Sequence, residues 1–296
     1  MKYAFFPGCV SRGACPELMQ SLTAVAAHIG MELELMETAS CTGAGVISER
    51  NQKLADALNA RNFALAEQTG LPLMNICSTC QGVMSSVNER LKARPEYLAE
   101  INEMLAEEGL SYSGRAEPRN FMWVLVEDFG LDNLRKLVKR PLSELNVAPF
   151  YGCYISRPTD ILGYHDFPQR GVYLEMIIEA CGATPVDYSG KKKCCGFPII
   201  TMNRTNSLKM AGNHVGEASE KGADFMVTPC PLCHLNLDAQ QPDAARVVQT
   251  PLNLPILHLS QLIGMALGLD DADLGLNRHV VSTNPVRERL HALPLA

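Results

Sequence analysis

Residues 71–80, LPLMNICSTC, and residues 224–233, DFMVTPCPLC, share one design: a short apolar run that ends on a CxxC pair. Such a run, bounded by turn-forming residues, reads as a buried strand. Each strand therefore delivers two thiols from its C-terminal end, and the two copies stand 153 positions apart. Cys41 and Cys194 repeat at the same spacing, so three cysteines of each copy keep a fixed register. Upstream, AFFPGC ends at Cys9 and APFYGC at Cys153, 144 positions apart. One nine-residue insertion before Cys194 accounts for the difference. Chance can supply one matching interval, but three cysteines in register plus an upstream Gly-Cys argue for internal duplication.

The rest of each copy follows one rhythm. Lys2–Phe6 reads as a strand that stops at Pro7-Gly8 and delivers Cys9. Pro16 suits the first turn of a helix whose apolar face is Leu18, Leu22, Val25 and Ile29, with Gly30 as its stop. Met31, Leu33 and Leu35 alternate with polar residues, as in a half-buried strand. A loop carries Cys41-Thr42-Gly43, and residues 54–66 are rich in helix formers up to Gly70. The second copy repeats this with a strand to Cys153, a helix over 172–180, a strand near Val186, the loop Cys194-Cys195-Gly196, and a helix to Lys221. Alternating strands and helices predict an α/β fold of two pseudo-symmetric units with small parallel sheets. The expected divisions are 1–91, a helical insertion over 92–146, and 147–296. The insertion carries Trp123 and Phe129 but no cysteine or histidine, so no chemistry is assigned to it.

Composition narrows the class. The chain has 296 residues, 47% hydrophobic and 20% charged, as in globular proteins. A net charge of −6 argues against nucleic-acid binding. No cationic start precedes an apolar run, and no stretch reaches the roughly 18 uninterrupted apolar residues of a spanning helix. The expected location is the cytoplasm, where thiols stay reduced; eleven clustered cysteines then read as metal ligands or redox groups rather than disulfides.

The two sets differ in number. Cys153, Cys194, Cys195, Cys230 and Cys233 offer five thiols, one more than tetrahedral zinc or a cubane cluster requires. Adjacent ligands such as Cys194-Cys195 need a strained loop or a wide cluster, and Gly196 supplies backbone freedom beside them. Cys9, Cys41, Cys77 and Cys80 offer four, with Thr42 where the doublet's second cysteine would stand; four suit a cubane cluster or zinc.

A cysteine, then CCG, then CxxC about 36 residues on resembles the CCG domain, and tandem CCG domains resemble the B-type subunit of heterodisulfide reductase. The matching segments are FFPGC, CTG and CSTC, then APFYGC, KCCGFP and PCPLC, with VEDFGL at 126–131 and LGLDDADLGLNRHVVS near the end. The resemblance covers essentially the whole chain and makes 1–91 and 147–296 the two CCG domains. It implies a noncubane [4Fe–4S] cluster on the five thiols of the second set, where a disulfide is cleaved at the irons. It also implies a ferredoxin-like iron–sulfur subunit and a flavoprotein subunit as partners, with a thiol/disulfide or sulfur-carrier substrate. Thr42 departs from the pattern, so the first set is expected to hold a cubane or altered cluster that relays electrons.

Other residues receive secondary readings. Cys15 could fill the gap left by Thr42, but it and Cys181 read better as small buried hydrophobes. His234, next to Cys233, could deliver a proton or donate to a cluster sulfur. Lys193, in the run Lys191–Lys193, could attract an anionic substrate. The remaining histidines show no ligand spacing. Leu254–Leu269 reads as a strand and a core helix, with membrane-surface contact as the alternative. A second functional reading follows from similar paired CCG domains in type E succinate dehydrogenase, where such a component links an iron–sulfur protein to quinone at the membrane.

Overall fold

A computed structural model describes residues 1–293; the last three residues of the segment expected as 147–296 lie outside the described residues. Eight strands form two four-stranded sheets, parallel throughout. The first has β1 (Lys2–Phe6), β2 (Glu32–Leu35), β3 (Leu73–Asn75) and β4 (Pro118–Asn120) in the order β2-β1-β3-β4. The second has β5 (Asn146–Pro149), β6 (Thr184–Pro185), β7 (Phe225–Thr228) and β8 (Ile256–His258) in the order β6-β5-β7-β8. The duplication is thus visible strand by strand.

The central strands β3 and β7 are buried along their whole length, as strands covered by helices on both faces must be. β2 alternates exposed and half-buried residues because it lies at an edge. Helix boundaries follow local chemistry. The helix Gln52–Thr69 is capped by Asn51, whose side chain accepts from Leu54 N, and Gly70 ends it in the left-handed conformation. It runs one turn beyond the span expected from composition because Gln52 and Thr69 complete its ends.

The segment 92–146 is not purely helical: Pro118–Asn120 pairs with β3 and supplies the fourth strand of the first sheet, the counterpart of β8. Leu254–Leu267 is buried as β8 and the core helix Leu259–Ala266, so that stretch offers no surface to a membrane. No described helix is long and apolar enough to cross a bilayer.

The halves do not stand apart. One apolar cluster joins Phe5 and Leu22 to Phe225 and Leu262, and another joins Phe6 and Phe63 to Phe150 and Met226. In each sheet the chain order reverses between the first strand and its third-strand neighbour, which opens a crevice at the C-terminal strand ends. Cys9 and Cys77 leave β1 and β3 at that crevice; Cys153 and Cys230 leave β5 and β7 at its equivalent.

Candidate metal centres

Each constellation gathers in three loops, one after each of the first three strands of its sheet. In the first, Cys9 Sγ lies 3.6 Å from Cys41 Sγ. Cys77 caps the helix Ser78–Lys92, its sulfur accepting from Cys80 N at 3.4 Å. That places both CxxC sulfurs at the positive end of a helix. Gly43 N donates to Cys41 Sγ at 3.4 Å. Thr42 is buried and its hydroxyl donates to Cys80 Sγ at 3.5 Å.

The second constellation reproduces this arrangement one thiol richer. Cys153 adjoins Cys194, and Cys195 adjoins Cys233, as Thr42 adjoins Cys80 in the first copy. Gly196 N and Phe197 N donate to the sulfurs of Cys194 and Cys195, each at 3.4 Å. Gly196 is left-handed, the freedom the doublet requires. Asn236 donates to Cys195 O at 2.6 Å and the His214 ring contacts Cys194 O at 3.0 Å, so the doublet is held from behind.

Thiols packed this closely divide their protons unequally. Hydrogen bonds from Cys153 and Cys195 push Cys194 down to about 2, while Cys153 moves up. Cys9 likewise pushes Cys41 down to about 6. Burial pushes Cys230 up, but hydrogen bonds from Cys233, Cys77 and Thr79 outweigh it and leave the thiol low. Such groups titrate as sets, and thiolate is the form that binds metal. Both donor sets therefore fit an iron–sulfur group: four sulfurs in one, five in the other, each with backbone N–H groups directed at sulfur.

The two constellations adjoin. Cys77 Sγ is 4.0 Å from Cys230 Sγ, Thr79 Oγ1 is 3.3 Å from the same sulfur, and Ser78 N donates to Pro229 O at 3.0 Å. Their surroundings differ. Cys9 and Cys41 are exposed where their counterparts Cys153 and Cys194 are half-buried, while both CxxC pairs and Cys195 are buried. A cavity of about 260 Å³ runs to Cys153, Cys195, Cys230 and Cys233, lined on its apolar side by Ala44, Val46, Phe197, Pro198, Ile200 and Leu232.

The secondary candidates fall outside these sets. Cys15 is buried, with its sulfur 3.9 Å from His234 Nδ1, and Cys181 sits in the core. Lys193 Nζ bonds Ser189 Oγ, Lys191 pairs with Glu175 and Asp187, and Lys192 lies over the Tyr151 ring; none lines the cavity. His234 is buried, its Nε2 3.0 Å from Ile256 O and 2.9 Å from His279 Nδ1. His258, facing Glu17 at 3.0 Å, stacks on it at 4.0 Å between ring centroids. Sequence spacing gave no hint that these histidines meet, since three separate segments bring them together. Cys15, Glu17, His234 and His258 present donor atoms within 4.8 Å of one another. The stacked rings stand 26° apart; His234 Nε2 and His258 Nε2 are engaged by Ile256 O and Glu17, while His258 Nδ1 has no hydrogen-bond partner among the described residues.

Parallel sheets that present two cysteine sets at their C-terminal ends define a tandem cysteine-rich domain protein, and the CCG cysteine-rich domain family matches residues 3–85 and 147–238. The chain belongs to that family, together with the heterodisulfide reductase B-type subunits, and is an iron–sulfur oxidoreductase subunit. It is 38% identical over 95% of its length to an 8-methylmenaquinol:fumarate reductase membrane anchor subunit of Wolinella succinogenes, covering 97% of that protein. It is 31% identical over 95% of its length to the B-type subunit of a ferredoxin/F420H2-dependent CoB-CoM heterodisulfide reductase of Methanosarcina acetivorans, covering 94% of it. A crystal structure of a hypothetical protein from Helicobacter pylori shares the fold, with a TM-score of 0.77 at 17% identity. That match covers 95% of this chain, which spans about half (52%) of the Helicobacter chain.

Proposed function

We propose that this chain is the redox subunit of a multisubunit oxidoreductase in which the second constellation meets the substrate and the first passes electrons to or from a partner. The observation that carries this reading is the cavity at the second set, which would hold the cluster at its Cys153, Cys195, Cys230 and Cys233 end and is lined beyond those thiols by Ala44, Val46, Ile200 and Thr201. A noncubane [4Fe–4S] cluster on Cys153, Cys194, Cys195, Cys230 and Cys233, and a cubane or altered cluster on Cys9, Cys41, Cys77 and Cys80, would supply one-electron steps. The residues themselves do the rest. Cys77 and Cys230 touch, which keeps the path between the centres short. Exposed Cys9 and Cys41, with Arg12 beside them, give a partner subunit access to the first set. Phe197, Pro198 and Leu232 keep water from the second. The partners fitting this division are a ferredoxin-like iron–sulfur subunit and a flavoprotein.

Two substrate classes compete, a quinone and a disulfide or sulfur carrier. We favour the quinone, because the cavity lining is apolar and lacks any cationic side chain to receive an anionic thiol. The Wolinella relative, named for a methylmenaquinol reaction and for membrane anchoring, supports the same choice, with the chain peripheral to the inner face of the membrane. The complete five-thiol motif and the heterodisulfide reductase relatives support the disulfide reading.

Electron paramagnetic resonance of the anaerobically purified protein separates the two. We expect the second centre's signal to change with a naphthoquinol and to ignore thiol and disulfide. A response to disulfide alone would reverse the choice. In Cys195→Ser the substrate response is lost while the first centre's signal persists.

A further inference from the structure

The second-set ligand Cys153 is followed by Tyr154, which leaves its own half and packs into the other. Its hydroxyl stands where a Cβ on Gly45 would be, and its backbone oxygen would clash with a Cβ built on Gly82. Gly45 closes the loop that begins at Cys41; Gly82 follows Cys80 by two residues. Both must be glycine for Tyr154 to fit, so the ring is wedged at the seam between the two constellations, on the cavity wall.

Five hydroxyls line that cavity: Ser78, Thr79, Tyr151, Tyr154 and Thr201. Ser78 donates to Pro229 O, Thr79 meets Cys230 Sγ, and Tyr151 is taken by Glu175 and Leu174 N. Thr201 lies exposed at the rim. The Tyr154 hydroxyl has no hydrogen-bond partner among the described residues and is only half-buried. A polar group left free in an apolar cavity fixes the orientation of whatever binds there.

We propose that Tyr154 is the substrate-positioning residue of the second centre, its hydroxyl donating a hydrogen bond to a carbonyl oxygen of a flat, apolar quinone held between Phe197 and Ile200. This rests on the quinone reading above and adds the residue that recognises the oxygen. No proton or electron passes through Tyr154 in the proposal; it binds and orients.

The probe is menadione, with 2-methylnaphthalene as the same ring system without carbonyls, and the readout is affinity for the anaerobic holoprotein by equilibrium dialysis. Tyr154→Phe keeps the ring against Gly45 and Gly82 and removes only the hydroxyl. We expect it to bind menadione up to about tenfold more weakly, as loss of one neutral hydrogen bond allows. Its iron content, visible spectrum and affinity for 2-methylnaphthalene should stay unchanged, and with the partner subunits the KM for quinol should rise while kcat is retained. Equal menadione affinity in wild type and Tyr154→Phe would overturn the role of Tyr154 while leaving the quinone reading intact. A wild type that binds no menadione overturns both.

Discussion

At Gly152 the backbone is left-handed, φ 72°, and a Cβ there would stand 2.8 Å from Cys233 Sγ. Gly152→Ala should therefore displace that thiol and empty the second centre, lowering iron per chain by about half while the first centre stays. Iron determination checks this, and unchanged iron would refute it. Thr42 offers the reverse experiment. Its hydroxyl contacts Cys80 as Cys195 contacts Cys233, so Thr42→Cys should complete a second five-thiol set. The first centre's paramagnetic signature should then converge on that of the second; an unaltered spectrum would show that the two sites differ for another reason. The proposed ligands were legible in the sequence because duplication placed them in register. Tyr154 was not, although the repeat held a signal: the residue 144 positions earlier is Val10, so the phenol is an addition of the second copy. Its importance arises from two glycines of the other half, and no local pattern reports that.

At the scale of elements, strands carrying several apolar residues and helices with glycine stops were readable, whereas β4 was hidden. Three residues, Pro118–Asn120, are too few to show a period, and only pairing with β3 makes them a strand. The segment 274–283 is held by equally nonlocal bonds: Asp238 accepts from Val280 N and Val281 N, and His279 joins His234 and Gln261. Burial lowers His279 from 6.5 to about 4, so its contribution to folding is full above pH 6.5 and is lost as pH falls toward 4. Burial raises Asp238 from 3.8 to about 6, so its contribution is full below 3.8 and is lost as pH rises through 6. Each amounts to roughly 3 kcal/mol, and they oppose. Thermal midpoints should therefore acquire opposite slopes in two variants between pH 4 and 6. Relative to wild type, Asp238→Asn should gain stability with rising pH and His279→Gln should lose it. Parallel profiles would contradict the assignment.

Taken whole, the molecule is two copies of one unit joined through their reactive ends. Apolar clusters run across the boundary, and Cys77 meets Cys230 at the middle. Two paramagnetic centres so close should couple, giving a broadened, fast-relaxing spectrum when both are reduced; two independent, slowly relaxing signals would contradict that contact. The inequality of the copies is also a property of the whole. The first set has two exposed thiols, Cys9 and Cys41, whereas no thiol of the second is fully exposed and four of its five line an apolar cavity to which both halves contribute. Sequence reading foresaw five thiols against four, but not that the sets adjoin, since the contact depends on how the sheets are docked. The most direct test of two iron–sulfur centres is metal analysis of the anaerobically purified chain. The account predicts a brown protein with about eight irons and matching acid-labile sulfide per chain. Stoichiometric zinc without visible absorption would contradict it.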